Sequence, residues 1–197
     1  TVPSGEEMGD MKISVKRAAA MLAALAAAVS GALLLSARAA EDGYVLHINK
    51  DAYVCASPFV ADYTLTGEDG QTVFSGEDFV EVYHLTADGA GEQDVSIAAY
   101  SVNIDAEAPE KAGYRRVGLE DSGCFSAETA GKLRAVVQWS YPHKDVSAIQ
   151  AAANPWLQSH GLPEIRHLQS GEAVLAAQLA IWELTNQGKF TVNEYLS

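Results

Sequence analysis

The chain has 197 residues, of which 48% are hydrophobic and 20% charged. That composition describes one ordinary globular domain with a short appendage and excludes collagen-like, disordered and repeat architectures. Thirteen Lys and Arg against 26 Asp and Glu give a formal charge of -13, a surface that repels phosphate backbones and argues against nucleic acid as a partner.

Residues 1–10 are acidic and precede Met11. They read as an upstream segment without function. Met11 to Arg17 is basic, Ala18 to Ala37 carries no charge, and Ala37-Arg38-Ala39 supplies a small-x-small site. Residues 11–40 are therefore expected to be a secretory signal peptide. The apolar run is also long enough to stay as a membrane anchor, but the small-residue site favours cleavage. Residues 41–197 are the expected mature domain, more acidic still than the whole chain. Export would permit a bridge between Cys55 and Cys124, which could stabilise by about 4 kcal/mol. Two buried thiols are the alternative. Two cysteines without a His-rich cluster make no structural zinc site.

From Tyr44 to about Leu119 the signals are strands and turns. Tyr44–Ile48 alternates, and Tyr63–Thr66 and Thr72–Phe74 flank the tight-turn pair Asp69-Gly70. Phe79–Leu85 is β-branched and aromatic, with Asp88-Gly89 as the next turn. Val95–Asp105 reads as a strand with Ile97, Ala99 and Ser101 on one face. Arg115–Leu119 is a candidate short strand. The acids at both turns lack the spacing of a calcium loop and read as turn residues.

From Ser126 onward the period becomes helical. Ser126 suits an N-cap, and Ala130, Leu133, Val136 and Val137 recur at helical spacing as far as Tyr141-Pro142. Asp145 is expected to cap a second helix that Pro155 interrupts. Asn154 and Pro155 then suit the N-cap and N1 of a short helix ending at Gly161. Ser170 is expected to cap a last helix from Gly171 to about Gln187, stopped by Gly188. The fold class is α+β: an N-terminal antiparallel sheet or sandwich region packed against a small C-terminal helical bundle.

One residue of the last helix is out of place. Glu172, Glu183 and Gln187 mark its polar side, while Val174, Leu175, Ile181 and Trp182 mark the apolar side. Gln178 falls with the apolar stripe. A buried amide must find partners or it costs roughly 1–3 kcal/mol. Either it bonds neighbouring backbone as a satisfied core glutamine, or its carboxamide is reserved for chemistry.

Around this residue the chain resembles a known family. Ala177 followed by Gln178-Leu179-Ala180-Ile181-Trp182 is similar to the TQxAIW motif of thioester domains from Gram-positive surface proteins. Tyr114–Asp121 resembles the block that follows the family's cysteine. Lys132–Val137, running on to Ser140-Tyr141-Pro142, resembles its central helix and aromatic-Pro stop. The resemblance covers roughly Ser96 to Asn186. It implies a domain in which a cysteine thiol attacks the glutamine carboxamide and expels ammonia. The resulting internal thioester is opened by an amine of a host or other extracellular protein, leaving a covalent link.

The family cysteine follows an aromatic residue at a strand end, and the matching pair here is Tyr100-Ser101. Ala177 likewise stands where the family has threonine. The expected site is thus Ser101 with Gln178, their side chains in contact across the intervening chain. A thiol near pKa about 8.5 is a competent nucleophile and leaving group. A serine hydroxyl needs a general base, and its alkoxide leaves poorly. No histidine adjoins either residue, so no base can be named. An ester between them is conceivable as a stable crosslink. Three explanations stay open: Ser101 replaces a native cysteine, the domain is a degenerate member that binds without a covalent bond, or Cys124 or Cys55 supplies the thiol.

The resemblance implies a secreted or cell-surface adhesin domain that consumes its thioester and so is not a turnover enzyme. It implies no cofactor or metal, and a membrane partner only through the signal peptide or a retained anchor. A non-covalent binding or structural module is the competing class. The chain ends at Ser197 without a wall-sorting motif, which reads as a domain truncated from a longer protein. No nucleotide-binding glycine loop, HExxH or Gly-x-Ser-x-Gly motif is present.

Overall fold

The computed structural model describes residues 46–48, 60–79, 83–87, 96–104, 112–114 and 117–192. The expected signal peptide or anchor, Cys55 and the expected Asp88-Gly89 turn lie outside them. Six strands and three helices are described. They are β1 (Leu46–Ile48), β2 (Val60–Thr66), β3 (Thr72–Phe79), β4 (Tyr83–Ala87), β5 (Ser96–Ala99), α1 (Ala127–Gln138), α2 (Val146–Ser159), α3 (Ser170–Thr185) and β6 (Phe190–Val192). The class is α+β, with antiparallel sheets first and three helices after.

The strands form two antiparallel sheets of three, ordered β1-β4-β5 and β3-β2-β6. The β2–β3 hairpin closes at Asp69-Gly70 as the dipeptide predicts. Gly70 has φ 77°, the left-handed region that glycine enters without a steric penalty. The Gln71 N–H donates to the Asp69 carboxylate at 3.0 Å, so this acid is used within its own turn.

Three strand expectations need correction. Phe79–Leu85 is not one strand: Phe79 ends β3 in one sheet and Tyr83 begins β4 in the other. Nothing in that β-branched and aromatic run marks the change of sheet. Arg115–Leu119 yields no strand among its described residues. Tyr114 instead makes an isolated bridge to Leu46, and Asp121 N–H closes a turn onto Gly118 C=O at 3.1 Å. The third, Val95–Asp105, ends as a strand at Ala99 for a reason that belongs to the site. β6 was not foreseen, since three residues are too short for a period to show. It pairs with β2 through Leu65 opposite Phe190.

The helices follow their caps and stops, with differences. Ser126 caps α1, its Oγ accepting from Thr129 N–H at 3.1 Å. Pro155 does not interrupt α2, which runs unbroken from Val146 to Ser159. The bond it forfeits is to the carbonyl of Ala151, an exposed residue that water can serve. Asn154 caps nothing. Its Oδ1 accepts from Ile165 N–H at 2.8 Å and its Nδ2 donates to Ile165 C=O at 3.0 Å, tying the α2–α3 connection to the helix. The N-cap of α3 is Gln169, not Ser170, and Gln169 N–H donates to Glu172 Oε2 at 2.7 Å. The helix stops at Thr185, short of Gln187.

The core explains why α3 was misread on one side. Every residue from Gly171 to Trp182 is buried, Glu172 included at 2% exposure. The helix packs against α1, α2 and β6, so it has no polar face along that length. Tyr63, Phe74, Trp182 and Phe190 join the sheet β3-β2-β6 to this helix, with Tyr63 ring centroids 4.7 Å from Phe74 and 5.8 Å from Trp182. Such tilted pairs add to area burial. Among the described residues no helix is long and apolar enough to cross a membrane.

Candidate functional site

Helix α3 places Gln178 between Val174 and Trp182 on its buried stripe, at 1% exposure. A carboxamide so deep requires partners, and both come from one residue 77 positions away. The Ser101 N–H donates to Gln178 Oε1 at 3.0 Å. Gln178 Nε2 donates to Ser101 C=O at 2.6 Å. The side chain thus imitates one residue of a β-ladder. Ser101 has its two main-chain groups occupied by a helix side chain, and this is why β5 stops at Ala99 and the expected alternation of Ser101 with Ile97 and Ala99 does not hold.

Further contacts seat the segment 100–104 on the helical layer. The Tyr100 hydroxyl donates to Tyr141 C=O in the α1–α2 turn. Thr185 Oγ1 lies 3.0 Å from Val102 C=O and also 3.0 Å from Ile181 C=O. Its single proton serves one of these carbonyls at a time. Tyr100, Ile104 and Tyr141 are half-buried against the core. Residues 101 and 102 therefore lie along α3 from Gln178 towards Thr185.

The Ser101 side chain takes a different direction. Its Oγ donates to Asn103 C=O at 2.8 Å. The expected proximity of Ser101 and Gln178 is present, but through the main chain of residue 101 and not through its hydroxyl. The bond geometry nonetheless puts the Gln178 carboxamide directly against residue 101.

Of the two cysteines, Cys55 lies outside the described residues. Cys124 is a free, exposed thiol whose Sγ contacts Ser122 C=O at 3.6 Å, in the turn before α1. That overturns the expectation of a buried or bridged thiol at this position. Arg134 on α1 forks onto the Glu120 carboxylate, at 2.6 Å to Oε2. The hydrogen bond to Arg134 holds the Glu120 carboxyl below its ordinary range. This pair fastens the 117–121 turn to α1 and belongs to the scaffold. Glu172 is the buried acid of the region. Desolvation raises its pKa, and the bond from Gln169 only partly opposes this.

Sequence reasoning named residues 101 and 178 and missed what seats them. The main-chain carbonyls of Tyr141, Asn103 and Val102 have no side-chain identity to read. Only Tyr100 and the Tyr141-Pro142 stop were visible as residues, and their link was not.

No curated protein and no solved structure matched the chain. A family model described as Thioester domain matches residues 98–195. The matched segment begins in β5, contains both Ser101 and Gln178, and runs through all three helices to β6. The motif blocks, the contact across 77 residues and this match agree, and residues 98–195 of the chain belong to the thioester domain family.

Proposed function

We propose that this is an exported, surface-displayed adhesin domain of the internal-thioester type, with residue 101 and Gln178 as its bond-forming pair. The observation that carries the reading is the two-point bond between the Gln178 carboxamide and residue 101. A cysteine at this position would place a thiol beside the carbonyl it must attack. The partner is then a host or other extracellular protein that presents an amine. The thioester would be consumed once per link, so the domain is not a turnover enzyme. It calls on no cofactor.

With serine at 101 the chain is inactive or altered in that role. The hydroxyl donates to Asn103 C=O. That orientation favours a second reading for the chain as it stands: a non-covalent binding or structural module that keeps the scaffold. Intact mass separates the two. Ser101→Cys is expected to lose one ammonia and to regain mass with methylamine. The parent is expected to lose nothing. A Ser101→Cys protein of unaltered mass would refute the thioester reading and leave the non-covalent one. A parent lacking one ammonia and resistant to methylamine would indicate an ester.

A further inference from the structure

We propose that the main chain of residue 101 is itself part of the reactive apparatus. Its N–H is the oxyanion donor for attack at the Gln178 carbonyl carbon, and its C=O holds the amide nitrogen that departs. The inference rests on the thioester reading and adds to it the groups that carry the developing charge.

The chemistry sets what is needed. A thiolate on residue 101 forms a carbon–sulfur bond to the Gln178 carbonyl carbon, and the carbonyl electron pair moves onto Oε1. The bond to Nε2 then breaks, and the nitrogen leaves as ammonia with the proton the thiol gave up. Thiol and carboxamide become thioester and ammonia, with no further reactant. The charge in the intermediate sits on Oε1, so a donor must already point there. The residue-101 N–H lies 3.0 Å from that oxygen, within the range such donors occupy. The bond is neutral in the amide and becomes charge-assisted in the intermediate, so it strengthens where catalysis requires it.

The donor is fixed before reaction. Residue 100 is held by its hydroxyl on Tyr141 C=O, and residue 102 lies against Thr185. The carboxamide bonds residue 101 at both ends: one bond on the oxygen, one at 2.6 Å on the nitrogen. The second aligns the amide group and keeps the nitrogen on the side from which it departs. Because opening by an amine passes through the same kind of intermediate, the same N–H serves that step.

The test removes the donor and keeps the nucleophile. In the full-length Ser101→Cys chain, residue 101 is replaced by the α-hydroxy acid bearing the same thiol side chain, which turns the N–H into an ester oxygen. The same replacement at Val102 is the control. Ammonia loss and methylamine opening are followed by intact mass. Both rates are expected to fall roughly 10²–10³-fold at 101 and to stay at the parent value at 102. Unchanged rates at 101 overturn the proposal alone. A Ser101→Cys parent that never loses ammonia overturns the thioester reading and this role with it. Amide exchange in the unmodified protein tests the contact without the chemistry. A slow Ser101 N–H that speeds up in Gln178→Met supports the donor, and a freely exchanging one in the folded parent overturns it.

Discussion

Replacing Gln178 with methionine is the sharpest test of the site in the chain as it stands. Methionine keeps the volume and the apolar stem of this buried position, so packing against Val174 and Trp182 is nearly conserved. What disappears is the pair of bonds to Ser101, at 3.0 and 2.6 Å. Each bond contributes about 1 kcal/mol net. Ser101 is half-buried, so water reaches its freed groups in part and the desolvation penalty is not felt in full. The expected loss is about 2 kcal/mol, or roughly 4–8 °C in Tm for a domain of this size. Gln178→Ala removes the same bonds and leaves a cavity, for about 2–5 kcal/mol in all. Urea and thermal melts measure both, with an unchanged m value as the sign that the fold is kept. A Gln178→Met protein within about 0.5 kcal/mol of the parent, a change ordinary surface substitutions reach, would show that the carboxamide does not hold the β5 end.

Three other perturbations are expected to read out the scaffold. Ser126→Ala removes the α1 cap on Thr129 N–H and should cost about 1 kcal/mol by thermal melt, whereas Ser126→Gly should cost only a few tenths. Asn154→Leu removes both bonds to Ile165 and should cost about 2 kcal/mol, with faster amide exchange at Ile165 as its local signature. The Glu172 carboxyl titrates above its ordinary 4.5 because burial disfavours the charge. A raised folded value means that its stabilising share is complete below about 4.5 and is lost as pH rises through the folded value. Glu172→Gln keeps an acceptor for Gln169 N–H and should flatten that decline in urea melts between pH 4 and 7. A variant with the parent's pH dependence would refute the assignment to Glu172.

The parts of the site differ in how far the sequence reveals them. Gln178 was legible because an amide on an apolar stripe breaks a pattern of period 3.6, and such a break has few explanations. Residue 101 was legible only through the Tyr-Ser pair in the place of a Tyr-Cys pair, a resemblance of motif and not of period. Its true strand end was hidden, because β5 stops where a distant side chain takes the backbone groups and not where the local residues change. Glu172 was misplaced for a related reason: its charge marks a surface by pattern, yet that turn is buried and the cap bond to Gln169 makes its burial tolerable. Pro155 was read as a break, while α2 bears the loss because the forfeited bond lies on its exposed side.

Two things follow from the sequence by itself: the α+β order, since alternation of period two gives way to a helical period after Ser126, and the presence of a polar group within the apolar stripe of the last helix. Those are local properties, set by which residues neighbour one another along a strand or a helix turn. Tertiary structure alone decided that the Gln178 carboxamide closes on the main chain of residue 101, that the Ser101 hydroxyl turns to Asn103, and that Cys124 stands exposed against Ser122 C=O. The first depends on main-chain groups brought together from 77 residues apart, and all three involve main-chain N–H or C=O groups, which look alike at every residue in a sequence.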